Sequence, residues 1–208
     1  MTKNKKNLKF LFLFNAILLA LASVLIQYSV VSHENSNPEL AGVSSEKTSL
    51  KQASDDFDQR LVRFDPPLAF KNIEFHTALD KSLSLEDLKG QWIVLNFWAS
   101  WCPPCVAEMP SLQMLQDSYG NAGVQVIAIG LDRNMDGAKL RHVLSKYNFG
   151  PIAAYYGNWP SIKKSFEVEG LPTTYILSPN GQSIAKLSGH ADWMDEDVQR
   201  FIKNLIER

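Results

Sequence analysis

A nearly unbroken apolar run, Trp92–Trp98 (WIVLNFW), leads into Trp101-Cys102-Pro103-Pro104-Cys105, and a helical pattern opens at once behind it. A run of this kind suits a central strand covered on both faces. Pro104–Tyr119 reads as the following helix, with Gly120 as its stop signal. The joint therefore places Cys102 and Cys105, the only 2 cysteines of the chain, where a strand end faces a helix start. That is the default site of α/β sheets. One pair cannot build a multi-bridge scaffold, nor supply four thiolates to a structural zinc or an iron–sulfur cluster.

The spacing carries chemistry. A thiolate at a helix N-terminus meets the positive end of the peptide dipoles, which lowers its pKa. Cys102, at the cap, is expected to be exposed; Cys105, one turn in, is expected to be more buried. Positions i and i+3 share a helix face, close enough for the sulfurs to bridge. This suits thiol–disulfide exchange, with Cys102 attacking a partner disulfide and Cys105 resolving the mixed disulfide. Other readings stand beside it. A structural disulfide would close a very short loop and gain little from loop-closure entropy. A two-coordinate copper(I) site suits soft thiolates, yet His33, His76, His142 and His190 all lie far from the pair in sequence. An inert, metal-free pair is the blandest reading.

Around this joint the elements alternate. Ile73–His76 and Leu83–Leu85 form a short hairpin, and Ser84–Asp87 a helical turn stopped at Gly90. Val124–Leu131 is a second buried strand, and Asp136–Tyr147 a helix with Leu140, Val143, Leu144 and Tyr147 on one stripe. Ser161–Phe166 is a short helix. Thr173–Leu177 and Ser183–Leu187 flank the turn signal Ser178-Pro179-Asn180-Gly181 and pair as a hairpin. Asp195–Ile206 closes the chain as a helix. The strand–helix–strand unit demands a parallel pair with a right-handed crossover, and the last hairpin adds antiparallel strands. The expected fold is α/β: a mixed central sheet covered by helices on both faces, with an N-terminal β-hairpin.

The folded body is assigned to residues 61–208. Ahead of it the chain changes character twice. Lys3, Lys5, Lys6 and Lys9 precede Phe10–Ser32, which carries no charge over 23 residues. As a helix that run spans roughly 34 Å, enough for a hydrocarbon core of about 30 Å. It reads either as a transmembrane anchor or as a cleaved signal peptide with Ala20-Leu21-Ala22 as the cleavage site. Apolar character continuing through Val24, Leu25, Ile26, Val30 and Val31 favours the anchor. Both readings keep the lysines on the cytoplasmic side and export the chain beyond Ser32. Residues 1–32 are thus a Lys-rich start and membrane segment. Residues 33–60, polar and poor in large apolar side chains, are a flexible tether. With 21 Lys+Arg against 22 Asp+Glu the chain is nearly neutral, which argues against nucleic acid as a partner.

WCPPC behind an apolar strand, followed by Gly170-Leu171-Pro172-Thr173-Thr174, resembles the thioredoxin superfamily. The longer stretches SLEDLKGQWIVLNFWASWCPPCVAEMPSLQ and GLPTTYILSPNGQSIAKLSGH resemble the TlpA/ResA-like, membrane-anchored thiol–disulfide oxidoreductases, over roughly residues 65–207. The resemblance implies a thioredoxin-like fold with an N-terminal transmembrane helix, and no cofactor or metal. It implies a cis peptide at Pro172, with the backbone of Leu171 offered to an extended substrate in β-augmentation style. Asn96 stands where thioredoxins place a buried Asp. Glu108, three residues after Cys105, is where TlpA/ResA-like proteins carry a Glu, and it could take the Cys105 proton if burial raises its pKa. Pro110 fits the family too, as a kink in the helix. Trp101, Pro103 and Pro104 would shape the surface around Cys102. Pro103 and Pro104 have no N–H, so the Cys102 thiolate loses two donors, pointing to a reductant. Trp98 flanks the site and reads equally as plain core, while Trp159 and Trp193 are read as packing residues.

The implied role is a single-pass protein of the cytoplasmic (inner) membrane with its catalytic domain on the exported, periplasmic side. It would reduce disulfides of exported proteins, for example in cytochrome c maturation, with electrons from a membrane thiol carrier of the DsbD/CcdA type. The alternatives are an oxidase or isomerase of the same fold, or a copper-handling module.

Overall fold

The computed structural model describes residues 57–69 and 72–207. The expected anchor over residues 10–32 lies outside them. Among the described residues no helix is long and apolar enough to cross a membrane.

Eight strands form one mixed sheet: β1 (Leu61–Ala69), β2 (Glu74–Thr77), β3 (Ser82–Ser84), β4 (Trp92–Trp98), β5 (Val124–Gly130), β6 (Tyr155–Gly157), β7 (Thr173–Leu177) and β8 (Gln182–Ser188). Their order is β1-β8-β7-β4-β5-β6-β2-β3. The pairs β4–β5 and β5–β6 are parallel, and the remaining pairs are antiparallel. The helices are α1 (Pro103–Tyr119), α2 (Gly137–Tyr147), α3 (Trp159–Phe166) and α4 (Glu196–Ile206).

Period-two alternation divides the core. Val94 and Trp98 of β4, with Val126 and Ala128 of β5, meet α1, α2 and α4 on one face. Ile93, Leu95 and Phe97, with Ile127 and Ile129, meet α3 and the Leu85 turn on the other. The caps follow from side chains that fill orphan helix donors: Asp136 Oδ1 accepts from the Lys139 N–H of α2, and Asn158 Oδ1 from the Ser161 N–H of α3. At the Leu85–Leu88 turn, the Ser84 N–H donates to Asp87 Oδ2.

Three features differ from the sequence expectation. The expected tether over residues 33–60 overlaps the described residues only at 57–60, and the rest of it lies outside them. Residues 57–60 are helical, and Phe57 is buried with its ring 6.0 Å from that of Phe201. β1 carries Asp65-Pro66-Pro67, which reads as a break; it survives as a strand because it lies at the sheet edge, where a missing N–H costs no ladder bond. β6 is only three residues long and had too little pattern to register, yet it joins β5 to the β2–β3 hairpin.

Candidate active site at the N-terminus of helix α1

The β4–α1 joint is held from two sides. The Leu131 N–H donates to the Trp98 carbonyl, extending the β4–β5 ladder past Trp98. Asp132, the next residue, accepts from the Ser100 N–H (3.0 Å) and the Ser100 hydroxyl (2.6 Å). Asp132 thus ties down the loop that delivers Cys102. Sequence reading missed it, although a polar residue just beyond a central strand's C-terminus is where an α/β sheet builds its sites.

Cys102 is the N-cap of α1, and it is bridged to Cys105 in a disulfide with Cα atoms 5.3 Å apart. Proline at the first two helical positions needs no intrahelical donor partner. It leaves the Cys105 N–H, which reaches Cys102 Sγ at 3.4 Å. The expected exposure of Cys102 is corrected. Only 5% of it is accessible, because Trp98, Ala99 and the helix pack around it; Cys105 is fully buried. Trp101 is the exposed residue, at 68%. Its side chain lines a cleft of about 620 Å³ with His76, Asp132, Arg133, Tyr156 and Trp159. Trp159, read as a packing residue, shares that cleft, whereas Trp98 and Trp193 are fully buried. Pro103, Pro104 and Pro110 are exposed; α1 continues through Pro110, with the ring on its solvent side.

Glu108 lies one turn beyond Cys105 and is 1% exposed. Its Oε1 accepts from Asn96 Nδ2 at 2.8 Å, and its Oε2 from the Ala191 N–H at 3.1 Å. Burial pushes its pKa up to about 7, against the pull of those two donors and of the Arg60 charge. The Trp193 indole pulls the same way, less than the two donors and more than Arg60, with no partner at hydrogen-bond distance. Asn96 Nδ2 also donates to Thr174 Oγ1 at 3.0 Å. Thr174, Ala191 and Trp193 were absent from the sequence reading of the site. Thr174 carries no signal of its own: it meets Asn96 because β7 pairs with β4 in a register that sets the two opposite.

The Leu171–Pro172 peptide is cis. Phe97 pairs with Thr173, so Pro172 sits beside the end of β4, at the same sheet end as Cys102. Pro172 is buried and its carbonyl accepts from the Gly189 N–H. Leu171 is half-buried, and among the described residues its backbone N–H and C=O have no backbone partner. Cys102, Cys105, Glu108, Leu171 and Pro172 thus converge on one end of the sheet. Among the described residues no three His, Cys, Asp or Glu side chains cluster as metal ligands would.

Residues 68–185 match the model of the AhpC/TSA family. The thiol-disulfide oxidoreductase ResA of Oceanobacillus iheyensis is 29% identical over 86% of this chain and 81% of its own length. ResA of Bacillus thuringiensis subsp. konkukian is 31% identical over 60% of this chain and 69% of its own. Among solved structures, a thiol:disulfide interchange protein of the thioredoxin family from Chlorobium tepidum superposes with a TM-score of 0.55 at 22% identity, covering 67% of this chain and 97% of that one. A disulfide-bonded CxxC at a helix start, in a thioredoxin-like fold with these relatives, makes the chain a member of the AhpC/TSA family and a ResA-like thiol–disulfide oxidoreductase.

Proposed function

We propose that the chain is an exported, membrane-anchored reductase of protein disulfides, working through Cys102 and Cys105. The observation that carries this reading is a bridged pair at the N-terminus of α1 with a buried carboxyl of raised pKa one turn behind it. In the reduced enzyme the Cys102 thiolate attacks one sulfur of a partner disulfide, and the other partner sulfur leaves as a thiolate. Glu108 takes the proton from Cys105, whose thiolate then attacks Cys102 Sγ. The second partner sulfur leaves, and the enzyme is left as the disulfide. Two electrons pass from the enzyme to the partner. A carboxyl with a pKa near neutrality suits this proton transfer in both directions.

Exposed Trp101 and its cleft would receive a polypeptide beside Cys102, and the unpaired Leu171 backbone would hold it as an added strand. The direction follows from the helix start. Two prolines leave the Cys105 N–H as the donor to Cys102 Sγ, so the thiolate and the reduced form gain little stabilisation. The uncharged run at residues 10–32 supports an anchor in the cytoplasmic membrane with the domain on the exported side. Electrons would then come from a membrane dithiol carrier of the DsbD/CcdA type, and a disulfide formed between apocytochrome c thiols is a fitting target.

Substituting Cys105→Ala removes the resolving thiol. The variant should accumulate mixed disulfides with exported proteins in cells, released by dithiothreitol and identifiable by mass spectrometry. A variant that traps nothing, or a wild-type potential near the value of about −120 mV of a strong oxidant, would sink the reading.

A further inference from the structure

Asn96 is fully buried on the α1 face of β4, and both of its amide hydrogens are engaged. One goes to Glu108 Oε1 and the other to Thr174 Oγ1. Its Oδ1 is buried as well and has no hydrogen-bond partner. A buried orphan acceptor is costly and calls for an explanation. The surroundings of Glu108 supply one. Both of its oxygens accept, from Asn96 Nδ2 and from the Ala191 N–H. That pattern fits an ionised carboxylate, which is acceptor-only. A protonated carboxyl must donate one hydrogen, and neither partner as placed can accept it. The acceptor that could is Asn96 Oδ1, on the other arm of the same amide.

We propose that Asn96 is a positioning residue that turns its side-chain amide over each time Glu108 gains or loses a proton. With Glu108 ionised, Nδ2 faces it. With Glu108 protonated, Oδ1 faces it, accepts the carboxyl O–H, and accepts the Thr174 hydroxyl in place of donating to it. Each state makes two hydrogen bonds to the amide and orphans one of its ends. The two amide orientations have nearly the same shape, so the packed core need not move. Asn96 then supports both protonation states of Glu108 instead of trapping one. A fixed donor would favour the carboxylate, and a fixed acceptor the acid. The inference rests on the proposed proton exchange between Cys105 and Glu108, and adds the residue that keeps it reversible.

Among the described residues the groups that bear on Glu108 are few. Its own helix carries Cys105 one turn before it; β4 and β7 present the neutral Asn96 and Thr174; the loop after β8 presents the Ala191 N–H and the Trp193 ring; Arg60 supplies the charge. Arg60 is itself held by the carbonyls of Ser188 and His190.

The test is nuclear magnetic resonance on the oxidised full-length protein, isotope-labelled at asparagine side-chain nitrogens and glutamate carboxyl carbons. A coupling through the hydrogen bond between Asn96 Nδ2 and the Glu108 carboxyl should be present at high pH. It should vanish as the Glu108 carbon titrates, with the same midpoint. A carbon that titrates while the coupling persists overturns the amide reversal and leaves the proton exchange standing. A carbon that does not titrate near neutrality overturns the exchange itself, and the reversal with it. A second readout uses Asn96→Leu and the pH profile of mixed-disulfide resolution. An amide that serves both states predicts an inflection shifted by less than about half a unit; a fixed donor predicts a rise of about one unit or more, and that result would overturn the proposal.

Discussion

Trp101 stands apart among the aromatic residues of the site, because most of its surface is left in water while Cys102 beside it is nearly covered. Surface substitutions away from caps and networks change stability by about half a kcal/mol or less. Trp101→Ala should therefore leave the thermal midpoint unchanged. It should raise KM for a protein disulfide several-fold and leave turnover of a small disulfide such as oxidised glutathione nearly intact. Equal losses on both substrates would show that Trp101 serves Cys102 rather than the partner. At this scale the residues that meet at this end of the sheet were legible: Cys102 and Cys105 from their spacing, and Glu108 and Pro172 from the resemblance. The burial of Cys102 was not legible, because it depends on how Trp98 and Ala99 close over the helix start. Nor was the Asn96–Thr174 bond, which needs the register between β4 and β7.

The elements that form the site were readable where their own pattern was strong. β4, α1 and β5 fall within a residue of their expected bounds, since each is long and carries a full period of apolar positions. β1 and β6 were missed because their strand character comes from the neighbours they pair with, β8 on one edge and β5 and β2 near the other. The β2–β3 hairpin was found, but its docking was not. Its turn reaches across to α2: Asp80 Oδ1 accepts from the Gly137 N–H at 2.8 Å and from the Tyr156 hydroxyl at 2.6 Å, and Arg141 donates to the Ala78 carbonyl. The hairpin therefore braces the start of the helix that comes after the Asp132 loop. Gly137 is needed for so close an approach. A Cβ there would lie 2.6 Å from the Ala78 carbonyl oxygen and 2.7 Å from the Asp80 carboxylate. Because the obstacle includes backbone, Gly137→Ala should cost about 1–3 kcal/mol, as overpacking does. The cost would be read as a lowered denaturant midpoint with an unchanged slope. A variant as stable as wild type would mean the hairpin turn is free to move.

For the whole domain, the ionisation among the described residues that bears most on stability is that of one buried carboxyl. Among the described residues, the ion pairs Asp58–Arg63, Glu86–Lys89, Asp136–Lys139 and Asp197–Arg200 all have at least one strongly exposed member. Such pairs contribute little and are screened by salt. Among the described residues the buried polar side chains are Asn96, Glu108, Thr173, Thr174 and Ser183, of which Glu108 alone ionises. Its pKa is raised from 4.5 to about 7, chiefly by burial. Between those values the folded state holds a proton that the unfolded chain releases. Stability is therefore greatest below about 4.5 as far as this group is concerned, falls as pH rises through about 7, and levels off above it. The fall is on the order of 3 kcal/mol at about 1.4 kcal/mol per unit, a large share of the roughly 5–15 kcal/mol that holds a domain folded. Denaturant midpoints of the oxidised protein, whose bridged sulfurs do not titrate, should trace this decline. Glu108→Gln keeps the shape and removes the ionisation, so its midpoint should stay level through neutrality and exceed that of wild type above about pH 7. Parallel curves for the two proteins would place the proton elsewhere and detach Glu108 from the pH response of the fold. A level curve for Glu108→Gln would instead mean that the carboxyl proposed to serve Cys105 is kept at a cost to stability, one that falls in the pH range proposed for the exchange chemistry.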